Sequence, residues 1–419
     1  DTARTTGPVR PSRCLNNGII NKRSCSYLIF GAIVCSFVYI QLHAIVPLST
    51  PTRPSAARVT HKPVIIPSQM TNSTPFQKGG CFRQVHLWIG KPLTPSGSPG
   101  DFLCPGLPCG LRFVVNIDME SLRSSDAVIL YHSTARNWAK MHRQRPRGQK
   151  WIFYTQESPR NTLKHALPTM EYRNNSYDYI MTYRPGESHL YASYGRYNPD
   201  VPQLRSTEMK NWSQNKTKQV AWMASNCNMV SWDRKGFVQA LSKYIPVSTY
   251  GGCGELPCPK DERCHIELRK HKFYLALENS ECRDYITEKF WRNALHNDIV
   301  PVVYGPPRED YEKVFPPKAF IHVQDFKSVK ELAEYLIKLD EDDNLYNKFF
   351  EWKKSGSIQV TLEGWLTEPK QICSTVVSRL LADEEDMRGG TYSPKFPENW
   401  VQWWDGSCTN HGSQYPIEV

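Results

Sequence analysis

The chain has 419 residues, 40% of them hydrophobic and 12% aromatic, with 13 Cys, 31 Pro and a formal net charge of +11. That apolar content supports folded cores and excludes a disordered or collagen-like chain, and the length predicts two folded units plus appendages. Residues 1–62 carry eight Lys/Arg against the single acid Asp1, so only four net charges are left for the rest of the chain, which has no concentrated basic face for nucleic acid.

The first predicted element is a membrane span. No charged residue lies between Arg23 and Arg53, and within that gap Tyr27–Val46 is a run of twenty mostly apolar residues. As a helix it would cover about 30 Å, the thickness of a bilayer's hydrocarbon core. The five Lys/Arg upstream predict a cytoplasmic tail (1–26), a signal-anchor (27–46) and a lumenal remainder. The run exceeds a signal-peptide h-region, and no small-x-small cleavage site follows it. Residues 47–80, rich in Pro, Ser and Thr, read as an extended stem. This is the layout of a single-pass type II membrane protein of the secretory pathway.

Ten cysteines follow the anchor, from Cys81 to Cys408. Their even number suggests disulfides, with the pairing open, and their spacings lack the paired CxxC of zinc ribbons. Sequons at Asn72, Asn174, Asn211 and Asn215 predict N-glycosylation and agree with a lumenal domain.

After residue 80, short apolar runs recur with helix-length spacers. They are Val85–Ile89, Phe113–Ile117, Ala127–Tyr131, Trp151–Tyr154 and Tyr179–Tyr183, then Val220–Ala224, Pro246–Tyr250, Phe273–Leu277, Ile299–Tyr304 and Phe320–Val323. Non-alternating runs of this length are typical of strands covered on both faces, as in parallel sheets. Phe237, Ala240, Leu241 and Tyr244 form a helical stripe, as do Val329, Leu332, Ala333 and Leu336, the latter behind a Ser328/Glu331 capping box. The polar stretch Glu208–Lys218 reads as a linker. The predicted fold is therefore α/β, with two Rossmann-like domains facing a cleft. Their expected bounds are 81–215 and 216–375, with a tail (376–419) packing back on them. No G-x-G-x-x-G is present; Gly251–Gly254 is a turn.

Chemistry concentrates in Phe273–Gly305, which reads strand, loop, helix (Thr287–His296), strand. In an open α/β sheet ligands bind at the carboxyl ends of strands, where a following helix N-terminus favours phosphate. That places Asn279, Tyr285, Thr287, Glu288 and Lys289 where an anionic ligand would sit. The segment resembles the signature of the α1,3-fucosyltransferases, glycosyltransferase family 10. It carries Leu277-Glu278-Asn279-Ser280, then Asp284-Tyr285-Ile286-Thr287-Glu288-Lys289, then Val300-Pro301-Val302-Val303-Tyr304-Gly305, with Leu277 for the usual Phe. Trp151–Pro159 resembles the family's strand ending in Glu-Ser-Pro, and Ala224–Arg234 its Ser-Asn-Cys…Arg block. Tyr183-Arg184 fits a Tyr-Arg pair, but Pro185–Ser188 replaces the acidic triplet that usually follows.

The resemblance implies a two-domain fold of the GT-B type and inverting transfer of L-fucose from GDP-fucose, in α1,3 linkage, to a GlcNAc of glycoprotein glycans. Glu157 is the expected general base. Lys289 and Arg234 are the expected cations on the leaving diphosphate. Asn279, Tyr285 and Glu288 complete the donor shell. No metal site is expected: Asp340–Asp343 reads as a solvated helix end, so no cofactor is required and Mn²⁺ is at most a stimulant. Two other readings are a lumenal transferase for another nucleotide sugar and an inactive Golgi glycan-binding protein. The acceptor stays open between the innermost GlcNAc of N-glycan cores and outer LacNAc antennae, although the Cys-rich Gly251–Cys264 resembles invertebrate and plant-like core-type members. Trp212 and Trp400–Trp404 could stack on sugars or pack inside.

Overall fold

The computed structural model describes residues 80–419 apart from 91–97, 132–136, 163–176, 185–189, 205–209, 260, 362–365, 367, 393–399 and 410–414. The expected anchor, its flanks, Asn72, Asn174 and Pro185–Ser188 lie outside the described residues. Among the described residues no helix is long and apolar enough to cross a membrane.

Each of the ten apolar runs forms a strand; most are buried on both faces, while Val247–Thr249 are half-buried and the run Phe113–Ile117 ends on an exposed Ile117. The first sheet takes β1 (Phe82–Trp88), β2 (Gly100–Phe102), β3 (Gly110–Asn116), β4 (Ala127–Tyr131), β5 (Lys150–Tyr154), β6 (Tyr179–Thr182) and β7 (Leu190–Tyr191). Their order is β2-β3-β1-β4-β5-β6-β7, parallel throughout except for β2. After β8 (Gly195–Asn198) the chain builds a second, wholly parallel sheet from β9 (Lys218–Met223), β10 (Val247–Tyr250), β11 (His271–Leu277), β12 (Val300–Tyr304) and β13 (Ile321–His322). The order there is β10-β9-β11-β12-β13. A final strand, β14 (Ser357–Val360), returns to pair antiparallel with β8. The protein is thus mixed α/β with two largely parallel sheets.

The helix Val329–Glu341 buries Val329, Leu332, Ala333 and Leu336 against the second sheet, as its stripe predicts. Only half of the expected capping box forms. Ser328 accepts from the Glu331 amide, but the Glu331 carboxylate reaches back to the amide of Lys327 rather than to that of Ser328. The helix Arg234–Leu241 ends before Tyr244, which is exposed, so the fourth residue of that stripe drops out of the core.

The chain then goes back. Leu366, Ile372, Val376, Val377 and Leu380 pack on Val85, Leu87 and Ile129 of the first sheet. On that sheet's other face, Trp400 and Trp404 are buried against Phe153, Tyr177 and Tyr183. Trp212 is likewise buried and stacks on Phe350 at 4.9 Å. Packing, not sugar stacking, is the role of these three rings. Five disulfides join all ten cysteines: Cys81–Cys109, Cys104–Cys373, Cys227–Cys253, Cys258–Cys264 and Cys282–Cys408.

The two sheets are held together by direct contacts. Ser158 and Ser280 share a buried hydrogen bond of 2.7 Å, and Arg184 pairs with Asp284 at 3.2 Å. Gly195 lies so close to Trp291 that a Cβ there would fall 2.5 Å from the indole. Any larger residue would push β8 off the second half.

Candidate active site

The site forms where strands of both sheets end. β5 runs out through Thr155 and Gln156 into Glu157; β9 leads to Ala224–Asn226; β11 leads to Glu278 and Asn279. These are carboxyl ends of parallel strands, the position at which α/β sheets bind ligands. They open into one cleft of about 560 Å³. All six expected site residues, Glu157, Arg234, Asn279, Tyr285, Glu288 and Lys289, line it.

The first-sheet wall contributes Glu157. Its amide is fixed by the Thr155 hydroxyl at 3.0 Å, and its Oε2 accepts from the Tyr285 hydroxyl at 3.1 Å. Tyr194 lines the same side and donates to the Gln156 carbonyl at 2.7 Å.

The second-sheet wall is a net of buried charge. Lys289 Nζ lies 3.0 Å from Glu278, 3.0 Å from Glu288 and 2.9 Å from the Thr287 hydroxyl. Glu278 is fully buried and also accepts from the Thr287 amide at 2.8 Å. Gly305, at φ +146, makes room for it: a Cβ at 305 would sit 2.6 Å from that of Glu278. Burial drives the Glu278 carboxyl above its usual range, and the Lys289 ammonium pulls against that rise. For Lys289 burial opposes the charge, but Glu278 and Glu288 outweigh it and raise the ammonium above the ordinary lysine value. Burial also opposes ionisation of Glu288, yet the adjoining Lys289 brings it below the ordinary value. Lys289 is therefore charged and already shared between two carboxylates, rather than the free cation that the spacing suggested.

Arg234 begins its helix behind the N-cap Asp233 and is buried. Its Nη1 donates to the Leu277 carbonyl at 3.0 Å and its Nη2 to the Asn226 carbonyl at 2.6 Å, while Nε has no partner among the described residues. Burial lowers its pKa from the ordinary arginine value. The carbonyl bonds hold the guanidinium plane at the ends of β9 and β11. Asn279 is buried beside it, and its side-chain oxygen accepts from Ser280 at 3.0 Å.

Three features differ from the sequence reading. The expected helix Thr287–His296 is a π turn over Lys289–Ala294 followed by a 3₁₀ turn over Leu295–Asn297. The wider turn suits a segment whose first residues are held by Glu278 rather than by helical bonds. Tyr285, expected on the donor, hydrogen-bonds the opposite wall. Glu278, Tyr194 and Arg292 belong to the site but were not singled out as site residues; of these, Glu278 stood in the quoted motif and its burial was the missing signal. Two disulfides, Cys227–Cys253 and Cys258–Cys264, brace the rim beside Gly251 and Cys258, which line the cleft. Among the described residues no group of three His, Cys, Asp or Glu could hold a metal ion. Asp342 instead caps the following helix, and Asp340 pairs with Lys272 at 3.0 Å. Of the sequons, Asn211 and Asn215 are exposed; Asn215 sits at φ +68, and Asn211 hydrogen-bonds Asp343 and Ser213.

Residues 113–195 match the family described as "Fucosyltransferase, N-terminal", and residues 213–388 match "Glycosyltransferase family 10 (fucosyltransferase) C-term". The chain is 38% identical over 274 residues to glycoprotein 3-alpha-L-fucosyltransferase A of Drosophila melanogaster, covering 64% of this chain and 50% of that protein. It is 39% identical over 249 residues to 4-galactosyl-N-acetylglucosaminide 3-alpha-L-fucosyltransferase FUT5 of Homo sapiens, covering 58% and 62%. The chain thus spans about half of the first relative's length and under two thirds of the second's. A solved structure titled "Crystal Structure of alpha1,3-Fucosyltransferase" aligns with a TM-score of 0.49 at 16% identity, covering 75% of this chain and 94% of that one. With both halves of one family matched in order, and with that family's motif residues gathered in a single cleft, the chain belongs to the glycosyltransferase family 10 fucosyltransferases.

Proposed function

We propose that the protein is an inverting α1,3-fucosyltransferase that moves L-fucose from GDP-fucose to the 3-hydroxyl of a GlcNAc on glycoprotein glycans. The observation that carries this reading is a carboxylate on one wall of a cleft facing a fixed cationic net on the other. Glu157 accepts the acceptor hydroxyl's proton as that oxygen bonds to the anomeric carbon of fucose. The bond from that carbon to the diphosphate oxygen breaks on the opposite side, and its electron pair leaves with GDP, so the configuration inverts. General base help of this kind is worth about 10²–10⁴ in rate. Arg234 and Lys289 stabilise the charge growing on the diphosphate, as preorganised groups that need no reorganisation during the reaction. Asn279 and Glu288 hold donor hydroxyls.

In this reading the sheets form a GT-B pair, with residues 81–215 on the acceptor side and 216–375 on the donor side. The segment around Leu366–Leu380 returns to the first sheet. The family's relatives named above include a glycoprotein enzyme and a galactosyl-GlcNAc enzyme, so either class of acceptor is compatible with this cleft. The apolar run 27–46, the bridged cysteines and the exposed sequons Asn211 and Asn215 support a type II orientation in the Golgi membrane, with the catalytic part lumenal. Protein cations on the leaving group support activity without an obligatory metal, with Mn²⁺ as a stimulant at most.

The test is direct. The purified protein, incubated with GDP-fucose and either a core N-glycopeptide or LacNAc, should yield an α1,3-fucosylated GlcNAc on mapping, with substantial activity left in EDTA. Transfer from a different nucleotide sugar alone, or no transfer to any GlcNAc acceptor, would overturn the assignment.

A further inference from the structure

The loop after β11 does not stay with its own sheet. Cys282 and Tyr285 are buried in the aromatic cluster of the first sheet, with Phe153, Trp400 and Trp404. The Tyr285 ring lies 4.8 Å from Tyr183, which in turn meets Trp404 at 5.4 Å. Arg184 holds the neighbouring Asp284, and Cys282 is bridged to Cys408 in the tail behind that cluster. So fixed, the ring is not free to swing toward a ligand. Its hydroxyl points at Glu157 and is the sole side-chain partner of that carboxylate among the described residues.

We propose that Tyr285 is a positioning residue for Glu157. Its hydroxyl holds Oε2, which leaves the second carboxylate oxygen to face the acceptor. Because Ile286 alone separates it from Thr287, Glu288 and Lys289, the same loop sets the aim of the base and the place of the donor net. The proposal rests on Glu157 being the base, as in the reading above.

The chemistry of the contact is consistent. Burial, then the charge of Glu157, keeps the Tyr285 phenol well above its ordinary pKa, so it remains a proton donor. The other titratable groups facing this pair are Tyr183 and Tyr194 from the first half, and Glu278, Glu288, Lys289 and Arg234 from the second. Glu278, Glu288 and Lys289 are bonded among themselves and Arg234 to backbone carbonyls, which leaves the phenol as the one side-chain donor on Glu157 among the described residues. A hydrogen bond to the charged form of a carboxylate favours that form.

Tyr285→Phe removes one oxygen and keeps the ring. We expect kcat to fall about tenfold or more, GDP affinity to change less than about threefold, and the acidic limb of the kcat/KM–pH profile to move to higher pH. Replacing Tyr285 alone by 3-fluorotyrosine, a stronger donor of nearly the same shape, should move that limb to lower pH. Tyr183→Phe loses a hydroxyl that has no partner among the described residues and should leave the limb in place. Should Tyr285→Phe fold poorly, the fluorotyrosine protein still decides the question. If Glu157→Gln stays active, the base reading falls and this proposal with it. If Glu157→Gln is inactive but neither Tyr285 variant moves the limb, the positioning role alone is overturned.

Discussion

The two walls of the cleft solve different electrostatic problems. The first-sheet wall offers one half-buried carboxylate with a single side-chain donor on it among the described residues. The second-sheet wall offers Lys289 shared between the buried Glu278 and the half-buried Glu288, with the buried Arg234 held beside them on backbone carbonyls. A proton acceptor must keep an open oxygen, so it tolerates few partners. A clamp for a diphosphate must be rigid before the ligand arrives, and burying unpaired ammonium and guanidinium groups would cost several kcal/mol. Glu278 and Glu288 offset that cost, which is why the donor wall carries acids beside its cations.

The contrast can be broken at four points. Glu157→Gln keeps size but cannot take a proton, so turnover should fall about 10²–10⁴-fold while the GDP dissociation constant stays within about threefold. Turnover and calorimetric GDP binding on the same preparation decide this, and a fully active variant would remove Glu157 from the base role. Glu278→Gln leaves Lys289 and Thr287 short of a buried carboxylate. Denaturant titration should show a loss of about 3 kcal/mol in stability, the scale of breaking a buried pair from one side.

Lys289→Ala strips the net of its cation and leaves Glu278 and Glu288 facing the diphosphate. GDP should bind about 10–100-fold more weakly, as expected for losing one or two hydrogen bonds to a charged group. Adding Glu288→Gln should recover part of that loss, since it removes a repelling carboxylate; no recovery would mean that Glu288 does not sense the diphosphate. The smallest effect lies at the other end of the second sheet. His271 at the start of β11 is buried, which lowers its imidazole to about 4 against the pull of its Leu268 carbonyl bond. The unfolded chain takes up that proton near pH 6.5, so stability should be lost as pH falls through the window from about 6.5 to 4. Between pH 7 and 5 the loss should be about 1–2 kcal/mol, and His271→Asn should flatten it.

Much of this was legible in the sequence because burial on both faces writes itself as unbroken apolar runs. β4 begins and ends where its run does, and β5 and β6 differ from theirs by one residue. β2, β7, β8 and β14 were invisible because strands such as Gly100–Phe102 and Leu190–Tyr191 are too short to carry a pattern. The members of the site were legible through a motif, but their bonds were not. Nothing in the string Asp284–Lys289 says that Tyr285 turns to one wall and Lys289 to the other. That division follows from the packing of Cys282 and Tyr285 among Phe153, Trp400 and Trp404. The pairing of Cys104 with Cys373, 269 residues away, is equally beyond any local signal.

That long-range bridge has a consequence for the order of events at the ribosome. The strands of each sheet are consecutive in the chain, but the first sheet also takes Leu366–Leu380, Trp400 and Trp404 from beyond the second. Domains generally fold as units while synthesis proceeds at about 5–20 residues per second. The second sheet therefore has all its strands in hand while Leu366–Leu380, Trp400 and Cys408 are still unmade. The half translated first must then wait, partly exposed, for the segment translated last.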